Sequence, residues 1–218
     1  ETAFIVKNQG QFEIRWFTPT VEVDLCGHAT LASAYIILNE LAHSSPLISF
    51  HSHRSGALKV SKEGDYLTLN FPADILQEVA MEEISLCGFS IQPNAVYKGK
   101  TDYMVVFENE EQIMALEPDF HQMKKIAARG IIVTAPGNKV DFVSRFFAPQ
   151  SGIQEDPVTG SAHTSLTPFW SKRLNKKQLS ARQLSHRGGD LICTDLGDRV
   201  EISGQCVLYL KGEIFIPD

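Results

Sequence analysis

No stretch of this chain approaches the ~18 consecutive apolar residues that a membrane-spanning helix needs. The longest apolar-rich run, ATLASAYIIL, has the length of a buried core helix. No signal-peptide pattern is present and no segment is of low complexity. Positive charge is in deficit: 20 Lys and Arg stand against 26 Asp and Glu, a net charge of −6. The only short basic cluster, Lys172, Arg173, Lys176 and Lys177, reads as the solvated end of a helix, which argues against nucleic acid as the main partner. Cysteine is sparse. Cys26, Cys87, Cys193 and Cys206 show no CxxC and no close spacing with histidine, so no metal motif emerges. His51 and His53 alternate on a strand without a visible third ligand. A reduced, cytoplasmic protein is the default, although spacing alone does not exclude disulfides.

What is present is an ordinary globular composition, 43% hydrophobic and 21% charged over 218 residues. That length supports one large domain or two small ones. Short strands bounded by Gly, Pro, Asn and Asp are expected at 2–7, 11–17, 47–52, 57–61, 65–71, 103–107, 130–135, 141–147, 191–195, 199–203 and 206–211. YLTLNFP alternates cleanly, with Leu67, Leu69 and Phe71 on one face. Two long helices interrupt the strands. Residues 27–42 are apolar nearly all round, as a buried helix is. Residues 160–174 open on a small-residue turn and end in Lys and Arg, which suit the helix dipole; Pro168 should kink them. Shorter helices are expected at 78–86 and 118–129.

The two halves repeat. RWFTP at 15–19 resembles RFFAP at 145–149, and Gly27-His28-Ala29-Thr30 resembles Gly160-Ser161-Ala162-His163-Thr164. The loop between the two motifs is three residues longer in the second half. Each half reads strand, loop, buried helix, so the expected fold is α+β: two pseudo-symmetric domains, each a curled, mostly antiparallel, barrel-like sheet around a central helix. Residues 1–76 with 205–218 form the first domain and 77–204 the second.

Such symmetry can bring two helix N-termini to one cleft. Free N–H groups and a partial positive charge make helix starts sites for carboxylate or phosphate, and Gly27 and Gly160 allow close approach of a ligand. Asp156 and His28 fall beside those glycines as candidate acid–base residues. On its own each has a bland reading, Asp156 as a turn or cap residue and His28 as a packing histidine. Cys26 reads as an inert buried thiol, or as a thiolate favoured by the helix start. His186-Arg187-Gly188-Gly189 reads locally as a basic turn.

ETAF (1–4), RWFTPTVEVDLCGHATLASA (15–34), RFFAPQSGIQEDPVTGSAH (145–163) and SHRGG (185–189) resemble, in that order, the PhzF-like isomerases of phenazine biosynthesis. The resemblance runs along essentially the whole chain. It implies a diaminopimelate epimerase-like fold, which agrees with the repeat. It also implies a metal- and cofactor-free proton shift, in the phenazine enzyme between carbons of a dihydro-hydroxyanthranilate ring. By that resemblance Glu1 is the catalytic acid/base, His28 polarises the substrate or relays a proton, and Asp156 is the partner carboxylate. Gly27, Gly160 and Ser161 would hold the substrate carboxylate, with Arg187 and Gly188 near it. A homodimer in a biosynthetic pathway is the family expectation. Members carry a strand–loop–helix segment with a GNPAA-like motif before ETAF; here the chain begins at Glu1 within an apparent strand and reads as a fragment or a processed chain. Two other readings stay open: an amino-acid epimerase or racemase using Cys26, and a catalytically silent interaction protein. Against the epimerase, no cysteine lies between 88 and 192 to act as the second thiol.

Overall fold

Strands of both halves join into one mixed, open sheet in a computed structural model that describes residues 1–8, 10–19, 21–41 and 43–215. The first half comprises β1 (Thr2–Asn8), β2 (Gln11–Phe17), β3 (Glu22–Val23), α1 (Gly27–Asn39), β4 (Leu47–Ser52), β5 (Gly56–Glu63) and β6 (Tyr66–Pro72). After it come β7 (Gln77–Val79), a 3₁₀ turn (Met81–Cys87), β8 (Ala95–Lys98), β9 (Asp102–Val106), α2 (Glu110–Ala115) and α3 (Phe120–Met123). The second half then repeats the first as β10 (Gly130–Pro136), β11 (Phe142–Ala148), β12 (Ile153–Glu155), α4 (Gly160–Leu174), β13 (Gln178–Gln183), β14 (Gly189–Asp195) and β15 (Arg199–Gly204).

The pairing confirms the internal repeat strand by strand. β1 is antiparallel to β2, β2 to β3, β4 to β5 and β5 to β6, while β2 runs parallel to β4. The same relations hold for β10, β11, β12, β13, β14 and β15. The halves meet where β6 pairs antiparallel with β15 and Leu69 stands opposite Ile202. Val60 opposes Leu69 and Cys193 opposes Ile202, so Leu69 and Ile202 are counterparts. The pseudo-two-fold axis therefore passes between them. Each helix packs on its own half's strands, α1 on β1, β5 and β6, α4 on β13, β14 and β15. The sheet is not closed, and no helix is long and apolar enough to cross a membrane among the described residues.

The halves differ in how many faces they bury. β2 alternates buried and accessible positions, as a one-faced strand does. β9 and β10 are a parallel pair buried on both faces, with Met104 and Ile132 turned to the helices' core and Tyr103, Val105, Ile131 and Val133 to a second core. That second core is covered by the 3₁₀ turn, α2 and α3.

Pro168 lies inside α4 and has no N–H to give to the carbonyl of Thr164. That carbonyl accepts the N–H of Asp74 at 3.1 Å instead. The proline thus frees an acceptor for the linker that leaves β6, and Ser165 Oγ adds a 2.9 Å bond to Asp74 Oδ2.

Some expected elements differ. Residues 206–211 form no strand: both sides of β15, the preceding strand, are taken by β6 and β14, and Tyr209 is 98% exposed. Residues 78–86 divide between β7 and the 3₁₀ turn, which Gly88 closes at φ 65°. Of 118–129 only Phe120–Met123 is helical: after it the N–H groups of Lys125 and Ile126 turn back three residues, to the carbonyls of Gln122 and Met123, and that of Arg129 goes to the carbonyl of Thr101. The short α2 was not expected, although Asn109 caps it by accepting from the N–H of Gln112.

A matched ion pair braces each half. Arg15 Nε and Nη2 donate to Glu22 at 2.8 Å each, tying β2 to β3. Arg145 does the same to Glu155 at 2.7 and 3.0 Å, tying β11 to β12. Arg145 also donates Nη1 to the carbonyls of Ile113 and Leu116, ending α2. Arg145 is largely buried and Arg15 is exposed. Arg145→Gln should therefore cost about 2–4 kcal/mol in urea unfolding, from a stranded Glu155 and two orphaned carbonyls. Arg15→Gln should cost distinctly less.

Candidate active site

α1 and α4 start against each other. A Cβ on Gly27 would stand 3.4 Å from the Gly160 Cα, and one on Gly160 3.5 Å from the Gly27 Cα. Neither helix has a side-chain cap, and neither has an acidic residue in its first turn. Both sets of first-turn N–H groups thus lack the partners that helix starts usually find. A cleft of about 640 Å³ opens there, lined among others by Glu1, Cys26, Gly27, His28, Asp156, Gly160, Ser161 and Arg129.

The loop before α4 is held rigidly. Fully buried Gln183 donates Nε2 to the Asp156 carbonyl at 2.7 Å and accepts the Thr159 N–H at 2.8 Å. Ser185 Oγ donates to the Pro157 carbonyl at 2.7 Å and accepts the Gly188 N–H at 3.0 Å. Gly188 turns there at φ 66°, in the left-handed region that suits glycine. Thus Arg187 and Gly188 lie in the turn that braces the loop, outside the residues lining the cleft, although the Arg187 charge helps to lower the Glu1 pKa.

Glu1 enters β1 with its carboxylate 3.2 Å from His28 Nε2. The His28 hydrogen bond holds the Glu1 pKa below the usual carboxylate value; burial opposes it without prevailing. Burial also works against the His28 imidazolium, but the Cys26 sulfur and the Glu1 carboxylate outweigh it and raise its pKa to about 11. His28 Nδ1 donates to the Val158 carbonyl at 3.0 Å, across to the second half. Asp156 is shifted the other way: burial raises its pKa, opposed by the Thr159 hydroxyl and the His28 charge. Its Oδ2 accepts from Thr159 Oγ1 at 2.5 Å, while Oδ1 is buried without a partner among the described residues.

The Cys26 sulfur lies 3.5 Å from His28 Nε2 and 3.8 Å from Nδ1. Glu1, Cys26 and His28 bring possible metal donors within 4.8 Å of one another. His51 and His53 face separate acids, Glu13 at 3.0 Å and Glu22 at 3.7 Å.

The sequence motifs missed Arg129, Asp102 and Gln183, which hold or line the site from other segments. Of these, Gln183 could have been noticed as a polar residue in an apolar strand pattern. Glu155 lies outside the cleft lining, in its pair with Arg145.

The chain matches the family model "Phenazine biosynthesis-like protein" over residues 1–212. The chain belongs to this family. An uncharacterized isomerase of Pseudomonas aeruginosa is 48% identical over 216 residues, 99% of this chain and 83% of the relative. The phenazine biosynthesis-like domain-containing protein 1 of Mus musculus is 36% identical, over 98% of this chain and 84% of its own. The crystal structure of a PhzF family protein from Enterococcus faecalis superposes with a TM-score of 0.91 at 43% identity, covering 99% of this chain and 82% of that one. A hydroxyproline epimerase from Agrobacterium vitis shares the fold alone, with a TM-score of 0.59 at 9% identity over 95% of this chain and 72% of that one. The diaminopimelate epimerase-like fold of the phenazine biosynthesis-like family is thus the fold of this chain.

His163, next to these groups in sequence, is separate in chemistry. It is fully buried, donates Nδ1 to the Thr159 carbonyl at 2.8 Å, and burial pushes its pKa from 6.5 down to about 4. The folded chain therefore resists a proton that the unfolded chain accepts. Its contribution to stability should be lost as pH falls from about 6.5 to about 4, a difference of roughly 3 kcal/mol. Urea midpoints across that range should fall in the parent chain and flatten in His163→Leu. An unchanged slope would count against a neutral His163.

Proposed function

We propose that this family member is a cofactor-independent isomerase that moves a proton on a small carboxylate-bearing substrate. The substrate would lie in the cleft between a first domain, residues 1–76 with 205–218, and a second, residues 77–204. Assigning the C-terminal segment to the first domain is supported by Lys211, which pairs with Glu40 at 2.9 Å. The observation that carries the reading is the gathering of Glu1, His28 and Asp156 around the two facing helix starts at one cleft. The direction of the two carboxyl shifts, Glu1 down beside His28 and Asp156 up through burial, agrees with unlike roles for them.

In this reading the amides of Gly27 and Gly160, with the Ser161 hydroxyl, receive the substrate carboxylate. Glu1, kept as carboxylate by His28, takes a proton from a substrate carbon. The electron pair moves into the adjoining unsaturated system, and a proton is returned at another carbon from Glu1 or from Asp156. His28 neutralises the charge that accumulates, and Arg187 adds a more distant positive field. Every proton taken is returned, so the step needs no redox partner.

A second reading, an epimerase using Cys26, draws on Cys26 lining the cleft in contact with His28. The two separate by deuterium incorporation into a panel of small cyclic and unsaturated carboxylates incubated in heavy water. Glu1→Gln and Asp156→Asn should each lower incorporation by about 10²-fold or more, the usual worth of a general acid or base. Cys26→Ala should leave it nearly unchanged. Full activity in both carboxylate variants would sink the assignment, and loss in Cys26→Ala alone would favour the thiol.

A further inference from the structure

The pseudo-symmetry singles out a residue absent from the sequence motifs. Ala3 opposes Trp16 in the β1–β2 pair, and Ile132 opposes Phe146 in β10–β11. Trp16 and Phe146 are counterparts, so Glu1 corresponds to Gly130, one position after Arg129. A Cβ at 130 would run into the Phe146 ring. The functional side chain at the head of β10 therefore comes from Arg129, whose guanidinium lies over that ring, 5.3 Å from its centroid. Arg129 Nη1 donates to Ser161 Oγ at 2.8 Å. Ser161 follows Gly160 as His28 follows Gly27. The pairs Glu1–His28 and Arg129–Ser161 thus lie at corresponding ends of the two halves, offset by one residue and of opposite polarity, at one cleft.

Arg129 is also held from behind. Its Nε donates to Asp102 Oδ1 at 2.9 Å and its Nη2 to Oδ2. Asp102 is only 4% exposed. A guanidinium has five N–H donors, and these contacts use one on each nitrogen. One N–H on each terminal nitrogen is left, on a side chain that is 35% exposed and lines the cleft. The nearby cleft carboxylate Asp74 is engaged elsewhere, by Ser165 and the Lys100 N–H.

We propose that Arg129 is the specificity-determining residue of this site, joining the helix-start amides in binding the carboxylate or another planar oxyanion of the substrate on the α4 side. Asp102 and Ser161 act as its positioning residues. The proposal rests on the cleft being the active site, with the reacting carbon turned to Glu1. A planar fork suits a planar anion, and lysine does not reproduce it.

The test compares benzoate with neutral benzamide by NMR titration of the parent chain, of Arg129→Lys, and of the double variant Asp102→Asn/Arg129→Met. The double variant removes both charges together, so no lone buried carboxylate remains to unfold the chain. The parent should bind benzoate at least about tenfold more tightly than benzamide, the scale of one charge-assisted bond, with shifts at Gly27, Gly160 and Arg129. Both variants should lose most of that preference while Gly27 and Gly160 still respond. An unchanged preference in both variants, with those glycines still responding, overturns the role of Arg129 and leaves the cleft intact. Shifts at Arg129 without any at Gly27 and Gly160 overturn the cleft reading alone. A parent chain that does not discriminate benzoate from benzamide overturns the proposal outright.

Discussion

Two helix N-termini meet at van der Waals distance near the pseudo-two-fold axis, and the rest of the molecule follows from holding them there. Each start carries about half a positive charge and several unpaired N–H groups, so bringing two together is repulsive until something negative arrives. Ordinary helices solve this with an acidic first turn or a capping side chain. Here both are missing on both helices, and the nearby negative charge comes from outside them, from Glu1 and Asp156. A Cβ at 27 or at 160 would reach ordinary van der Waals contact with the facing Cα, at 3.4 and 3.5 Å, and would occupy the gap between the two helix starts. The sheet supplies the rigidity: Leu69 and Ile202 face each other on the axis, and the Leu69 side chain reaches to Gly27.

The symmetry is exact enough in backbone to make its breaking in charge informative. The Arg–Glu braces repeat, Arg15–Glu22 and Arg145–Glu155, with the second loop three residues longer. The extra residues lie before β12, because Glu22 precedes Gly27 by the same spacing as Glu155 precedes Gly160, so Asp156 stands at the cleft where the first half has Val23. At the heads of β1 and β10 the side chains then diverge, to a carboxylate on one side and a guanidinium on the other. A duplicated scaffold thereby becomes a site with two unlike sides, as a reaction needs that removes a proton from one carbon of an asymmetric substrate.

Much of this was legible in the sequence because it is local. RWFTP and RFFAP, the helix-start glycines and the apolar run of α1 are contiguous, and α4 formed over the expected 160–174. Residues 206–211 misled because alternation of Val207 and Tyr209 with Leu208 and Leu210 describes a strand's side chains and cannot supply a neighbour to bond. Arg129 was hidden for a related reason. It follows Ala-Ala in a stretch that reads as a helix end, and only the register of β10 on β11 places it one position from the counterpart of Glu1. Asp102 likewise looks like a turn residue until its burial beside Arg129 is seen.

Burial is also unequal between the halves, and the inequality bears on the chemistry. β9 and β10 are packed on both faces, so the residues at their starts, Lys100, Asp102 and Arg129, rest on a doubly covered base. β1 has Phe4 58% and Val6 65% exposed on one face, so the strand that Glu1 precedes is covered on one side. The side proposed to bind the anion is thus the better supported, while the Glu1 carboxylate is positioned mainly by its contact with His28, itself anchored through Nδ1 to Val158 of the opposite half. A proton-transfer group held by one charged neighbour can exchange that neighbour for a substrate at little structural cost. An anchor that fixes the substrate's orientation needs the opposite property, and the Asp102–Arg129–Ser161 chain has it.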